Sequence, residues 1–319
     1  MANGDQILSL LRYHFNGDND AFRKQALQIS ISEAQAGHTS LARAIRDIAM
    51  EPKQTTSFQA FSLQNSELSD LLMIGDGKQR LSNFVAPDSL TQRIKRIIAE
   101  YAQREKLYSY NLDCRRKVML VGHSGTGKTM TASILANELN MPLYVVRIEN
   151  IITKFMGETS MKLAKIFDWI PNHTGVYLFD EFDAIGQKRG IENEVGEMRR
   201  ILNTFLQLLE RDQSQSLILA ATNDIDRIDK ALFRRFDDIL QYSLPTPDEI
   251  MQIIKLQTAG IKIEGNLDSI INEFVGMNHA EICMVIHDAI KDSLLQNQRF
   301  STDLLLGALM NRNSLSAIG

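Results

Sequence analysis

Gly122-His123-Ser124-Gly125-Thr126-Gly127-Lys128-Thr129 reads as GxxxxGK[ST]. An apolar run, Val-Met-Leu-Val at 118–121, leads into it, and a helical pattern from Met130 to about residue 139 leads out. A strand, a glycine-rich loop and a helix in that order form a phosphate cradle. The glycines allow backbone N–H groups to turn inward around β- and γ-phosphates at the positive end of a helix. Lys128 adds a point charge, and the Thr129 hydroxyl is placed to ligate Mg²⁺. The segment from Gly122 through Met130 is therefore the candidate nucleotide site, with ATP and Mg²⁺ as its expected ligands.

Working outward, short apolar runs alternate with helical stretches. The runs lie at 118–121, 143–148, 176–179, 217–221 and 239–242, with helices expected at about 127–139, 158–169 and 194–210. Continuous apolar strands between helices predict a parallel sheet covered on both faces, an α/β fold of three layers. A further helix begins near Asp88-Ser89, with Ile94, Ile97 and Tyr101 on one face. Pro245 and Pro247 end the alternation, and from Asp248 onward only helical periodicity remains, in about four helices. Residues 1–50 read as three short helices. Ile7, Leu11 and His14/Phe15 share one face, and Gly37-His38-Thr39 breaks the second helix from the third. Residues 51–66 are polar with weak periodicity and read as a linker, in which Phe58 and Phe61 dock on a neighbouring surface. The expected parts are a helical module and linker over 1–66, a large α/β domain over 75–244 and a helical lid over 245–319.

Two further strands end in polar side chains. Val176-Tyr-Leu-Phe179 runs into Asp180-Glu181. Asp180 would sit beside the loop and hold Mg²⁺ through its hydration shell, and Glu181 is placed to polarise a water as general base. The plain alternative is an acidic helix start, which is how Asp183 reads; the loop at 122–129 argues against it for Asp180 and Glu181. Leu217-Ile-Leu-Ala-Ala-Thr222 ends in Asn223. Its amide could orient the attacking water, although a turn-forming Asn before Asp224 explains the same residues.

Taken together these features resemble an AAA-type (AAA+) ATPase over about residues 75–319. The resembling residues are the 122–129 loop, Asp180-Glu181, Ala-Thr-Asn223, and Asp229-Lys-Ala-Leu-Phe-Arg234-Arg235-Phe-Asp. The last segment is similar to the paired arginine fingers of the katanin, spastin and vacuolar-sorting ATPases. In such proteins the fingers act on the neighbouring subunit's nucleotide, so the resemblance implies a homo-oligomeric ring, usually of six. An arginine fork stabilises the charge spread over a transferring phosphoryl group. Lys154-Phe155-Met156-Gly157 resembles the first pore loop of polypeptide-threading AAA proteins; packing of Phe155 and Met156 in the core is the alternative. A second pore-facing loop over Gly186 to Gly196, with Lys188 and Arg189, reads equally well as solvated surface. Gly276-Met-Asn-His279-Ala280-Glu281 is similar to a sensor-2 region without its arginine, and the resemblance brings Ala280 to the nucleotide. His279 stands where such proteins often carry a small residue. His123-Ser124 replaces a common Pro-Pro.

The resemblance implies ATP hydrolysis coupled to remodelling, unfolding or threading of a protein client. It also allows a separate subtilisin-like peptidase as partner. A nucleic-acid loader or transposition-type ATPase, or a nucleotide switch or scaffold, are the alternatives. Composition bears on these. The chain has 319 residues, 44% hydrophobic and 23% charged, with net charge −4, which excludes disorder and argues against a protein that coats nucleic acid. Cys114 and Cys283 form no CxxC and read as reduced core thiols of a cytoplasmic protein. His14, His38, His173 and His287 form no ligand spacing. There is no secretory signal at the start, no apolar span of about 18 residues for a membrane, and no HExxH or GxSxG.

Overall fold

The computed structural model describes residues 8–10, 13, 19–50, 68–152, 156–182, 192–224 and 233–316. The chain divides into two compact units, Met1–Phe58 and Gln59–Gly319. In the first unit, α1 (Asn19–Gln35) and α2 (Thr39–Met50) pack together. Gly37, at φ +89°, makes the break between them. The Ser30 hydroxyl donates to the Ala42 carbonyl at 2.7 Å and ties the pair. The helix expected before them, and the linker with Phe58 and Phe61, lie almost wholly outside the described residues.

The second unit is built on a six-stranded sheet: β1 (Leu72–Ile74), β2 (Lys117–Gly122), β3 (Leu143–Val146), β4 (Val176–Phe179), β5 (Leu217–Thr222) and β6 (Asp238–Tyr242). Their order is β1-β3-β4-β5-β2-β6. The pairs from β3 to β6 are parallel, as the apolar runs predict. The edge strand β1 is antiparallel to β3, so the sheet is mixed. Three residues are too short to show a period, which is why β1 is not visible in the sequence.

Strand residues alternate between two cores. Met119 and Val121 face one side with Leu163, Phe167, Ile201 and Phe205 of α7 (Met156–Trp169) and α8 (Glu192–Arg211). Phe205 meets Phe179 edge-on, with ring centroids 5.0 Å apart. Val118 and Leu120 face the other side with Ile94, Ile97 and Tyr101 of α3 (Asp88–Ala102), and with Leu135 of α5 (Lys128–Glu138). Short helices α4 (Arg104–Ser109) and α6 (Ile148–Ile151) complete these connections. Layers of helix, sheet and helix follow from strands buried on both faces.

The C-terminal part has its own apolar cluster, in which Ile254, Phe274, Ile286 and Leu305 are buried. It comprises α9 (Pro247–Gln257), α10 (His279–Leu295) and α11 (Thr302–Ser316). With two 3₁₀ turns, Leu267–Ser269 and Ile271–Phe274, these three helices stand against the expectation of about four. Among the described residues no helix is long and apolar enough to cross a membrane.

Candidate active site

The site lies at the carboxyl ends of β2, β4 and β5. Gly122 ends β2 so close to β6 that a Cβ would collide with the Tyr242 carbonyl oxygen. The chain then turns through Gly125 at φ +73° and Gly127 at φ +102°. Side chains disfavour these left-handed conformations and glycine does not. Gly127 caps α5, whose N-terminus therefore faces the loop. Thr126 is buried and donates its hydroxyl to the His123 carbonyl at 2.7 Å, closing the loop on itself. His123 and Ser124 are exposed. From below, Tyr242 donates to the Thr131 hydroxyl at 2.7 Å and pins α5 to β6.

Lys128 is buried. Its Nζ donates to the carbonyls of Gly122 at 2.7 Å and His123 at 2.8 Å, and to Asn223 Oδ1 at 2.8 Å. The Thr129 hydroxyl donates to Asp180 Oδ2 at 2.8 Å. The sequence-predicted residues from three strands thus meet around one point. A hydroxyl beside a carboxylate is an oxygen donor set suited to Mg²⁺. Beyond β4, Asp180 Oδ1 accepts from the Glu181 N–H at 2.9 Å, and the Phe182 N–H donates to the Ala221 carbonyl at 2.8 Å. Between these anchors Glu181 sits at φ +51° with its side chain exposed. A non-glycine residue in this region is strained, and such strain concentrates where a side chain must be presented.

A cavity of about 360 Å³ covers these groups. Ser124, Gly125, Gly127, Lys128, Thr129, Met130, Asp180, Glu181 and Asn223 line it from the sheet side. His279, Ala280 and Cys283 of α10 line it from the lid side. A larger neighbouring cavity of about 860 Å³ contains His123, Gly122 and Asn223 but lacks Lys128, Thr129 and Asp180. The charge of Lys128 and the start of α5 favour the smaller as the phosphate site. α10 is fastened to the loop at its start: the Ala280 N–H donates to the Gly125 carbonyl at 3.0 Å. Asn278 and Glu281 form a capping box there, each accepting from the other's N–H at 2.9 Å.

The cavity also holds two residues whose placement the sequence reading did not establish. Cys283 is only half-buried and lines the cavity, so it is not a plain core thiol, whereas Cys114 is buried. Burial raises the Cys283 pKa. His279 joins the wall, and burial lowers its pKa. Helical spacing could have found Cys283, one turn beyond His279. Arg234 and Arg235 are exposed and do not line the cavity; Arg235 pairs with Glu210 of α8. Lys154, Phe155, Asp183, Lys188 and Arg189 lie outside the described residues. Of Met156 and Gly157, the backbone begins α7. His38, His173 and His287 each hydrogen-bond locally, to Glu33, the Trp169 carbonyl and Gln257. Among the described residues there is no cluster of three metal-binding side chains.

The sequence model of the ATPase family associated with various cellular activities (AAA) matches residues 118–244, the segment that carries β2 through β6. The chain contains an AAA-family ATPase domain. This domain binds nucleotide and hydrolyses ATP to ADP and phosphate. The chain is similar to an uncharacterized AAA family ATPase, y4kL, of Sinorhizobium fredii, 27% identical over 94% of this chain and 92% of that one. It is 27% identical to the ATPase family gene 2 protein of Schizosaccharomyces pombe, over 81% of this chain and 35% of that protein. It is 32% identical to the ATP-dependent zinc metalloprotease FtsH of Mycoplasmopsis synoviae, over 57% of this chain and 29% of that protein. The chain thus spans nearly all of the first relative and about a third of the other two.

Proposed function

We propose that this AAA ATPase works as a homo-oligomeric ring, of six subunits by family resemblance, that couples ATP hydrolysis to remodelling, unfolding or threading a protein client in the cytoplasm. The observation that carries the reading is a shortage of charge. Among the described residues lining the cavity there is no arginine. Arg234 and Arg235 stand exposed outside it, Arg235 in an ion pair with Glu210 at the surface. A site that must stabilise phosphoryl-transfer charge gains from an arginine supplied in trans.

In this reading the N–H groups from Gly125 to Thr129 hold the phosphates, and Lys128 turns from its carbonyl partners toward the γ-phosphate. Thr129 would ligate Mg²⁺ directly and Asp180 through water, and the ion would supply positive charge against the phosphates. Glu181 takes a proton from water as the oxygen attacks phosphorus, and Asn223 orients that water. The P–O bond to ADP breaks in line. Arg234 and Arg235 of one subunit serve the nucleotide of the next. Lys154, Phe155, Met156 and Gly157 form the loop that grips the client. Residues 1–66 recognise a client or partner, 75–244 carry the chemistry, and 245–319 form the lid. A subtilisin-like peptidase in a separate chain is one partner compatible with this reading.

Glu181→Gln tests it. The variant retains ATP, and its turnover falls by two to four orders of magnitude, roughly the contribution of a positioned base. Light scattering in ATP then finds a closed oligomer, and mass spectrometry identifies the chains captured with it. Turnover at the wild-type rate rejects Glu181 as the base, and a monomer in saturating ATP rejects the ring.

A further inference from the structure

On the reading of the 360 Å³ cavity as the nucleotide site, we propose that Phe84 is a positioning residue for the phosphate loop. Through its neighbour Val85 it ties the shape of that loop to the position of the lid. Both residues belong to the strap of chain between β1 and α3.

The first support is the contact at the loop. The Phe84 ring lies against Gly127, where an added Cβ would come 3.1 Å from its Cε2. Gly127 stands at φ +102°, immediately before Lys128, and caps α5. The direction of the N–H groups at the start of α5 turns on the backbone of that residue, and a glycine backbone is the freest to rotate. A ring packed on it limits the swing. Phe84 is not among the described residues lining the cavity, so it acts on the phosphates through the loop.

The second is the division of the strap between two cores. Phe84 is extended, and successive side chains of an extended chain point to opposite faces. Leu81, Phe84 and Ala86 pack against the cluster shared by α3 and α5, whereas Val85 packs against the lid cluster that contains Ile254, Phe274 and Ile286. Among the described residues, Val85 is the one member of the lid cluster that precedes the lid in the chain. Adjacent Cα atoms are about 3.8 Å apart, so a displacement of the lid reaches Phe84 with little slack.

The third is anchorage upstream. The Gln79 N–H donates to Ser133 Oγ at 3.3 Å and the Leu81 N–H to Glu138 Oε1 at 3.2 Å. Ser133 Oγ donates in turn to the Asp76 carbonyl. These bonds fasten the strap along α5, so it cannot absorb a movement of Val85 by sliding. Loop and lid then share one equilibrium: a ligand that orders the loop steadies the lid, and the reverse follows by linkage.

Calorimetric titration of the full chain with ADP tests the tie, with melting curves to confirm that each variant is folded. Phe84→Ala weakens ADP by about fivefold or more, the lower end of coupling between linked parts of a protein. Phe84→Leu, which keeps apolar bulk against Gly127, recovers most of that loss. Val85→Ala also weakens ADP, although its side chain faces the lid. The double variant binds about as weakly as the weaker single one, because both changes break the same connection. Unchanged affinity in a folded Phe84→Ala or Val85→Ala overturns the proposal, since packing alone would lower the melting temperature and leave binding intact. A Leu variant as weak as Ala overturns it by making the ring a direct contact of the nucleotide. Losses that multiply in the double variant overturn the tie to the lid. If Lys128→Ala binds ADP as tightly as wild type, the nucleotide-site reading itself fails, a result separate from all of these.

Discussion

His279 reports on the stability of the free protein. Burial holds its pKa below the ordinary histidine value, against the opposing pull of Glu249 on α9 and of the Val85 backbone. The unfolded chain takes up this proton near the usual value of about 6.5, and the folded chain does so only at lower pH. Between those limits the unfolded state binds more protons, so stability falls on acidification through that window and is fully present above it. Wild type should therefore lose more melting temperature between about pH 7.5 and about pH 5.5 than His279→Ala does. Parallel melting curves for the two proteins over that range would show that the ring is not held neutral by burial. Glu181 makes a different use of local structure. Its φ of +51° is costly for a glutamate, and it is held by its own N–H bond to the Asp180 carboxylate and by the bond from the next residue, Phe182, to the Ala221 carbonyl, with its side chain exposed.

At the scale of elements, the decisive joint is between the start of α10 and the glycine loop. Asn278 closes the capping box of α10 with Glu281 and also lies against Gly125, where an added Cβ would meet its Oδ1 at 2.5 Å. One side chain thus both begins the lid helix and limits the shape of the phosphate loop. Asn278→Ala should cost about 1 kcal/mol through the lost cap, read by chemical denaturation, and should weaken nucleotide binding because the lid then sits loosely on the loop. Asn278→Asp keeps the acceptor and should retain most of both properties. An alanine variant with wild-type stability and affinity would show that the joint does not depend on the cap.

For the whole molecule, the predictions concern how copies cooperate. If Arg235 completes a neighbour's site, adding Arg235→Ala subunits to wild type should depress hydrolysis more steeply than dilution alone. Activity that falls in proportion to the mixing ratio would place the arginine's action within its own subunit, where it pairs with Glu210. Phe155→Ala should leave basal hydrolysis near the wild-type rate and abolish work on the captured client. Client processing at the wild-type rate would remove Phe155 from the gripping loop. These two measurements separate the chemistry of one active site from the mechanics of the assembly.

The amino-acid sequence alone determined the layered α/β core. Apolar runs that continue without alternation announce strands buried on both faces, and the run at 176–179 has the same limits as β4. Ile94, Ile97 and Tyr101 are all buried on α3, as their spacing requires. The residues at the sheet side of the cavity were legible too, because a phosphate cradle is written in contiguous sequence and each strand announces its own polar end. Only the tertiary structure decided the rest. It decided that β1 joins the edge of the sheet antiparallel, since local pattern encodes which faces are apolar and not which edge they meet. It decided that Gly122 must pass the Tyr242 carbonyl. It also decided that His279, Ala280 and Cys283, some 150 residues along the chain from the loop, line its cavity from the lid side, with Asn278 against Gly125. Hydrophobic periodicity is local physics, whereas a site's far wall depends on how separate elements pack.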